Sequence, residues 1–151
     1  MTVTIDTNIL LHLLRETYLV PDIRETLDSL GAEDTIILSI TSIGEIESIA
    51  RQRNYGKRKR NYLKELLKDF LIIPIESFDL ADRYAEIDAY SQGKLTAKPL
   101  PDSLSSRNMG KNDLWIAATA SITSSALLST DKDFEHLDGE YLDFIYIDPK
   151  R

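Results

Sequence analysis

A chain of 151 residues is long enough to bury a core of its own, and its 42% hydrophobic and 28% charged residues are ordinary for a globular protein. A net charge of −7 argues against indiscriminate binding to nucleic acid, and zero cysteines exclude disulfides and thiolate metal centres and fit a reducing compartment. No apolar run approaches the roughly 18 residues of a membrane span, and "MTVTID" lacks the basic start of a secretory signal, so one domain over 1–151, cytoplasmic and away from membranes, is expected.

In chain order, "TVTI" (2–5) reads as a strand and "NILLHLL" (8–14) as the start of a helix with Asn8 as its N-cap. "DTIILSI" (34–40) is a continuous apolar, β-branched run and predicts a second strand. "TSIGEIESIARQ" (41–52) predicts a helix capped by Thr41 or Ser42. Residues 57–70 predict an amphipathic helix with Leu63, Leu66, Leu67 and Phe70 on one side. "LIIPI" (71–75) predicts a third strand whose Pro74 marks an edge or a strand end. Residues 78–91 are helical, with Leu80, Tyr84 and Ile87 at helix spacing, and 92–110 form a long aperiodic loop with two glycines and two prolines. "NDLWIAATASIT" (112–123) predicts a helix, and "SALLS" (125–129) and "FIYI" (144–147) two further strands.

Strands alternating with helices predict a three-layer α/β/α sandwich around a mostly parallel sheet. Ligands of such sheets bind beyond the carboxyl ends of the strands, and acids stand there. Asp6 follows the first strand, Glu45 lies one turn into the helix after the second, and Asp131 follows "SALLS". Asp113 opens a helix whose own face continues through Ile116, Ala117 and Ala120, small enough to lie close against the sheet. Each acid also has a purely structural use. Asp6 suits a turn, Ser42 to Glu45 fits a capping box, Asp113 favours a helix N-terminus, and Asp131 and Asp133 suit a solvated loop. The recurrence of an acid at strand exits is what the structural uses leave unexplained. Gathered carboxylates repel unless some protonate or a cation enters. A donor set of oxygen alone points to Mg2+ or Mn2+ rather than zinc. His12, in a leucine-rich helix, and His136, in an acidic loop, are the only imidazoles and are given no role; Trp115 is read as core.

"TVTIDTNILL", "ITSIGEIE", "NMGKNDLWIAATA" and "ALLSTDKDF" resemble, in that order, the acidic motifs of PIN-domain nucleases, and among these the VapC-type toxins of prokaryotic toxin–antitoxin pairs. The resemblance runs from the first residues to about residue 134. It implies a parallel α/β/α sandwich hydrolysing RNA phosphodiesters with Mg2+ or Mn2+ held by Asp6, Glu45, Asp113 and Asp131, with Asp133 beside them. It implies supporting polar groups at Thr7, Asn8, Ser129 and Thr130, a small antitoxin partner and a homodimer. The stretch before "NMGKND" is longer than in compact members of the family.

The run "RQRNYGKRKR" (51–60) holds six basic residues and no acid, and Arg51, Arg53, Lys57, Arg58, Lys59 and Arg60 are candidates for contact with RNA phosphates. Tyr55 within it is a candidate for base stacking. A solvated basic turn is the plain alternative. The competing functional reading is a PIN-like module that binds RNA or protein without cutting. A metal-dependent phosphotransferase is more distant, since those enzymes carry a second Asp two positions after the first, where Asn8 stands here.

Overall fold

The computed structural model describes residues 1–32 and 35–150. Its strands are β1 (Val3–Ile5), β2 (Ile36–Ser39), β3 (Phe70–Ile73), β4 (Ala126–Ser129) and β5 (Asp143–Tyr146). They form one sheet in the order β3-β2-β1-β4-β5, with every neighbouring pair parallel. Among the described residues the helices are α1 (Thr7–Arg15), α2 (Val20–Ser29), α3 (Ile40–Gln52), α4 (Lys57–Leu67), α5 (Phe78–Ser91), α6 (Lys111–Ile122) and a 3₁₀ helix at Lys132–Leu137. The expected α/β/α architecture is present, and the sheet is parallel throughout.

The central strands β1, β2 and β4 are buried at every position because helices cover both faces. One core gathers Val3, Ile5, Leu38 and Leu128 with residues of α1 to α4, including Ile9, Leu10, Ile46 and Leu63. The other joins Leu127 to α5, α6 and the 3₁₀ helix through Leu80, Ile87, Ile116, Phe134 and Leu137. Strand β3, followed by Pro74, is an edge as the proline predicts. Leu71 within it and, beyond it, Ile75 and Phe78, the last at 95% exposure, face solvent.

Several boundaries differ from expectation, and the differences bear on the site. Helix α1 begins at Thr7, and its N-cap is Asp6, whose Oδ1 accepts from Ile9 N at 2.9 Å. Asn8 lies within the first turn and caps nothing. Helix α3 starts at Ile40 and is capped by Ser39, the last residue of β2, whose Oγ accepts from Thr41 N. Thr41 and Ser42 are therefore inside the helix, and Glu45 is released from a capping box. Asp34, the first residue of the predicted second strand, lies outside the described residues. Helix α4 ends at Leu67, and Phe70 belongs to β3.

Helix α2 has no counterpart in the sequence reading, and neither does the 3₁₀ helix. His136 is not in an open loop but buried in that 3₁₀ helix, with Nε2 2.7 Å from the Ser91 hydroxyl. Burial, with Arg107 adding to it, pushes its imidazole down to about 4, against a backbone hydrogen bond at Asp133. Trp115 is half-buried, its ring centroid 4.2 Å from that of Tyr84.

Helices α5 and α6 form an antiparallel pair: Arg83 donates to Ser121, Tyr84 meets Trp115, and Ser91 at the end of α5 meets Met109 just before α6. The 92–110 segment therefore links the two helices beside the N-terminus of α6. It lies down on the domain, with Leu95, Leu100 and Met109 packed on the second core and Arg107 N donating to Ser91 O at 2.7 Å. Ile116, Ala117 and Ala120 of α6 are all fully buried, so the helix approaches the sheet as closely as alanine allows. Ala117→Leu should lower the unfolding free energy by about 1–3 kcal/mol through overpacking, read from urea denaturation; a cost within error of zero would mean α6 is not in tight contact.

Candidate active site

The sheet order reverses direction between β1 and β4, and the crevice beyond the carboxyl ends of these two strands is where a parallel sheet opens for a ligand. Asp6 stands at the end of β1, its backbone N–H donating to Leu128 O of β4. It is 3% exposed, the most enclosed acid of the group. Its Oδ1 is committed to Ile9 N, and its Oδ2 accepts from the Ser129 hydroxyl at the end of β4. Ser129 Oγ in turn accepts from Asp131 N at 2.9 Å, and Asp131 Oδ1 accepts from Asp133 N at 2.9 Å. One chain of hydrogen bonds thus runs from the start of the 3₁₀ helix to the tip of β1.

Glu45 is held from another side. Its Oε1 accepts from the Thr7 hydroxyl at 2.6 Å, and Thr7 Oγ1 also lies 2.9 Å from Ser42 Oγ. Thr7 thus ties α1 to α3 across the mouth of the crevice. A groove lined by Thr41, Gly44, Ser48 and Asn112 opens beside Glu45. Asp113 enters from the first turn of α6, whose N-cap is Gly110 and carries no capping side chain. The N-termini of α1, α3 and α6 all deliver acids or their partners to this edge, where helix dipoles favour negative charge.

The electrostatics record the convergence. Asp6 is pushed up to about 6, chiefly by burial, with Asp113 and Asp131 adding to it against the hydrogen bonds from Ser129 and Ile9. Asp113 is likewise raised to about 6 by burial and then by Asp131, Glu45 and Asp133. Asp113 therefore feels Glu45, Asp131 and Asp133, and Asp6 feels Asp113 and Asp131. No lysine or arginine contributes to either shift. Glu47, two residues from Glu45, is the contrast: hydrogen bonds and charge from Arg51 and Arg60 hold it below the usual range.

Of the polar neighbours, Thr7 and Ser129 touch an acid directly. Asn8 is exposed and Thr130 half-buried, and among the described residues neither hydrogen-bonds an acid of the cluster. The basic run sorts into distinct groups. Arg51 and Arg60 are occupied by Glu47 at 2.8 and 3.3 Å. Tyr55 is not an open stacking platform: it packs on the first core with its hydroxyl buried, and Lys59 Nζ sits 4.2 Å over its ring. Arg53, Lys57 and Arg58 are exposed. Eight residues separate Glu45 from Arg53, which puts Arg53 about 12 Å further along the helix.

Among the described residues no three acid or imidazole side chains stand close enough, as placed, to make a ready-formed metal ligand set. Mg2+ does not require one. It keeps several waters and takes one or two carboxylates with substrate phosphates, and the donors here, carboxylate and hydroxyl oxygens without a counter-cation, fit such an ion.

A parallel α/β/α protein with acids from four elements at its topological switch point defines a class of acid-lined, oxygen-donor sites. The PIN domain model matches residues 3–140, and the chain belongs to the PIN domain family. Its fold is similar to that of VapBC2 from Rickettsia felis bound to a fragment of its promoter, with a TM-score of 0.75 at 20% identity, covering 97% of this chain and 98% of the other. It is also similar to VapBC-1 from nontypeable Haemophilus influenzae, with a TM-score of 0.72 at 20% identity and coverages of 97% and 98%. A third likeness is to VapBC-5 of Mycobacterium tuberculosis, a member of a toxin–antitoxin family, with a TM-score of 0.64, 21% identity and coverages of 97% and 100%. No curated protein matches the chain in sequence.

The raised Asp6 has a consequence for stability. Its folded-state affinity for a proton exceeds that of the unfolded chain, so between about pH 4 and 6 the folded protein holds more protons, and stability falls as pH rises through that window. Asp6→Asn removes the effect while keeping a good N-cap. In metal-free buffer the variant should gain on the order of 2 kcal/mol over the wild type at pH 7.5 and little at pH 4. Paired urea melts at the two pH values check this, and a gain of equal size at both would refute it.

Proposed function

We propose that residues 1–151 form one nuclease domain that hydrolyses RNA phosphodiester bonds with a divalent ion, Mg2+ or Mn2+, and that it acts as the toxin of a toxin–antitoxin pair. The observation that carries the reading is the gathering of acids at one edge of the sheet: Asp6 is linked through Ser129 to Asp131, and Asp113, raised chiefly by burial, is raised further by Asp131, Glu45 and Asp133 with no cation among the causes. Such an edge is stable in its ionised form chiefly when a cation joins it. Membership of the PIN domain family supports the nuclease chemistry. The likeness to the VapBC structures supports a toxin role and a small antitoxin partner.

In this reading Asp6, Glu45, Asp113 and Asp131 would hold the ion, with Asp133 beside them. Held by these acids, a divalent ion would supply activation of a water and stabilisation of charge on the phosphate. Ser129 holds Asp6 Oδ2 in place, and Thr7 fixes the Glu45 carboxylate; both are positioning residues. No side chain is needed as a covalent nucleophile. His136, buried against Ser91, is outside the chemistry. No helix among the described residues is long and apolar enough to cross a membrane, and we read the protein as acting in the cytoplasm.

Asp113→Asn should cut Mg2+- or Mn2+-dependent cleavage of single-stranded RNA by about two orders of magnitude or more while circular dichroism stays native. Chelation of the ion should do the same to the wild type. Undiminished cleavage by the purified variant would remove the reading. Binding of RNA without any metal-dependent cleavage by the wild type would favour the silent module instead. Ser129→Ala should weaken the apparent metal affinity about 10–100-fold, with activity recovering at high metal concentration. An unchanged metal titration curve would deny Ser129 that role.

A further inference from the structure

The C-terminal end of α1 and the start of α4 enclose a cavity lined by Leu14, Arg15, Glu16, Gly56, Arg58, Lys59 and Tyr62. Three cations from two helices meet one carboxylate there, in a chain whose net charge is −7. None of Arg15, Arg58 and Lys59 forms an ion pair among the described residues, unlike Arg51 and Arg60 in the same basic run. Lys59 is instead steadied over the Tyr55 ring, whose hydroxyl end is anchored in the core. Unpaired like charges held together by two packed helices repel each other, and an anion relieves that repulsion.

The floor of the cavity suits an anion with several oxygens. Helix α4 starts at Gly56 with no capping side chain, and the space where a Cβ would stand at Gly56 is open. Guanidinium groups favour multidentate contact with phosphate oxygens, and two are present. The cavity is remote from the acids but connected to them. Asp6 caps one end of α1 and Arg15 ends the other, nine helical residues and about 14 Å away, with Asn8, His12 and Arg15 at the spacing of a single helix face.

We infer that this cavity is a phosphate site, built from Arg15, Arg58 and Lys59, that holds the backbone of the RNA some way from the bond being cut. The inference rests on the proposed RNA substrate, and it redistributes the basic run. Arg15, which is outside that run, joins the contact, while Arg51, Arg60 and Tyr55 leave it for structural duties. The remote phosphate gives the site a grip on the strand that the negatively charged edge cannot supply itself.

The test is equilibrium binding of a fluorescent ten-nucleotide uridine oligomer to the full chain without divalent metal, for the wild type and for the triple variant Arg15→Ser, Arg58→Ser, Lys59→Ser. Arg15 and Arg58 are exposed and Lys59 is half-buried, and circular dichroism checks the fold. The variant should bind about tenfold or more weakly, and its slope of log K against log salt should be shallower by about two, as expected for three lost contacts to a single strand. A control variant, Arg51→Ser with Arg60→Ser, should leave the slope nearly unchanged. A second arm titrates inorganic phosphate and uridine monophosphate. Saturable binding of either that is lost in the triple variant would keep the phosphate chemistry but assign the site to a free phosphate ligand rather than to RNA. Equal affinity and equal slope in wild type and triple variant, with no binding of the small phosphates, would overturn the site. Wild-type cleavage of the oligomer with Mn2+ is measured alongside. Its absence would defeat the nuclease reading and leave the phosphate result to stand or fall separately.

Discussion

Asp6 is subject to three demands at once, and the site follows from how they are met. As N-cap it must accept from Ile9 N, as the end of β1 it must sit beside Ser129 of β4, and as a member of the acid cluster it must tolerate Asp113 and Asp131. The first two are hydrogen bonds to the ionised form and favour the charge. Burial and the neighbouring acids oppose it, and the balance lies with them, which is why the carboxyl is raised to about 6. The protein therefore holds the most buried carboxylate of the group in a state that gains from a cation. Preorganisation by the backbone N–H and the serine hydroxyl spares an incoming ion the cost of fixing that ligand.

The topology explains why the cluster exists at all. In a parallel sheet every strand exits at the same edge, and the helices that follow α1- and α3-like start there. Residues spaced across most of the chain are thus brought together without any local sequence signal. Helix α6 adds the fourth element because its alanine face lets it approach β1, β2 and β4 closely. A bulkier face would lift Asp113 away from the edge, so the small residues of "NDLWIAATA" serve the site as much as the core.

That logic also accounts for what could be read in advance. The strands, the parallel architecture and the positions of Asp6 and Asp131 at strand exits were legible because each rests on a pattern the chain must obey, apolar runs and acids after them. The caps were not legible. Asp6 and Ser39 each end a strand and start a helix with no intervening residue, so the residue that reads as a strand tip is also the cap, and Asn8 and Ser42 stand where a looser turn would need them. Helix α2 was not read in advance, although Ile23 and Leu27 stand one turn apart on its buried face. His136 looked solvated among acids, whereas the 3₁₀ helix turns it toward Ser91, a contact 45 residues distant that no local pattern announces. The basic run read as one patch for the same reason: which arginine finds Glu47 and which stays free depends on how α3 and α4 pack.

The separation of charge within the molecule has a functional sense. Two basic side chains beside Glu47 lower it, yet no cation tempers Asp6 or Asp113, although Arg15 lies on the same helix that Asp6 caps. A distance of about 14 Å along α1 exceeds the screening length of about 8 Å at physiological salt. The cavity cations and the acids are then nearly independent. A lysine placed inside the acid cluster would stabilise it without metal and compete with the ion, whereas cations kept one helix-length away can attract a polyanion and leave the acids dependent on a divalent ion. On the proposed function, a chain of net charge −7 would approach RNA through the cavity of Arg15, Arg58 and Lys59 while the acids at the sheet edge stay open to a divalent ion.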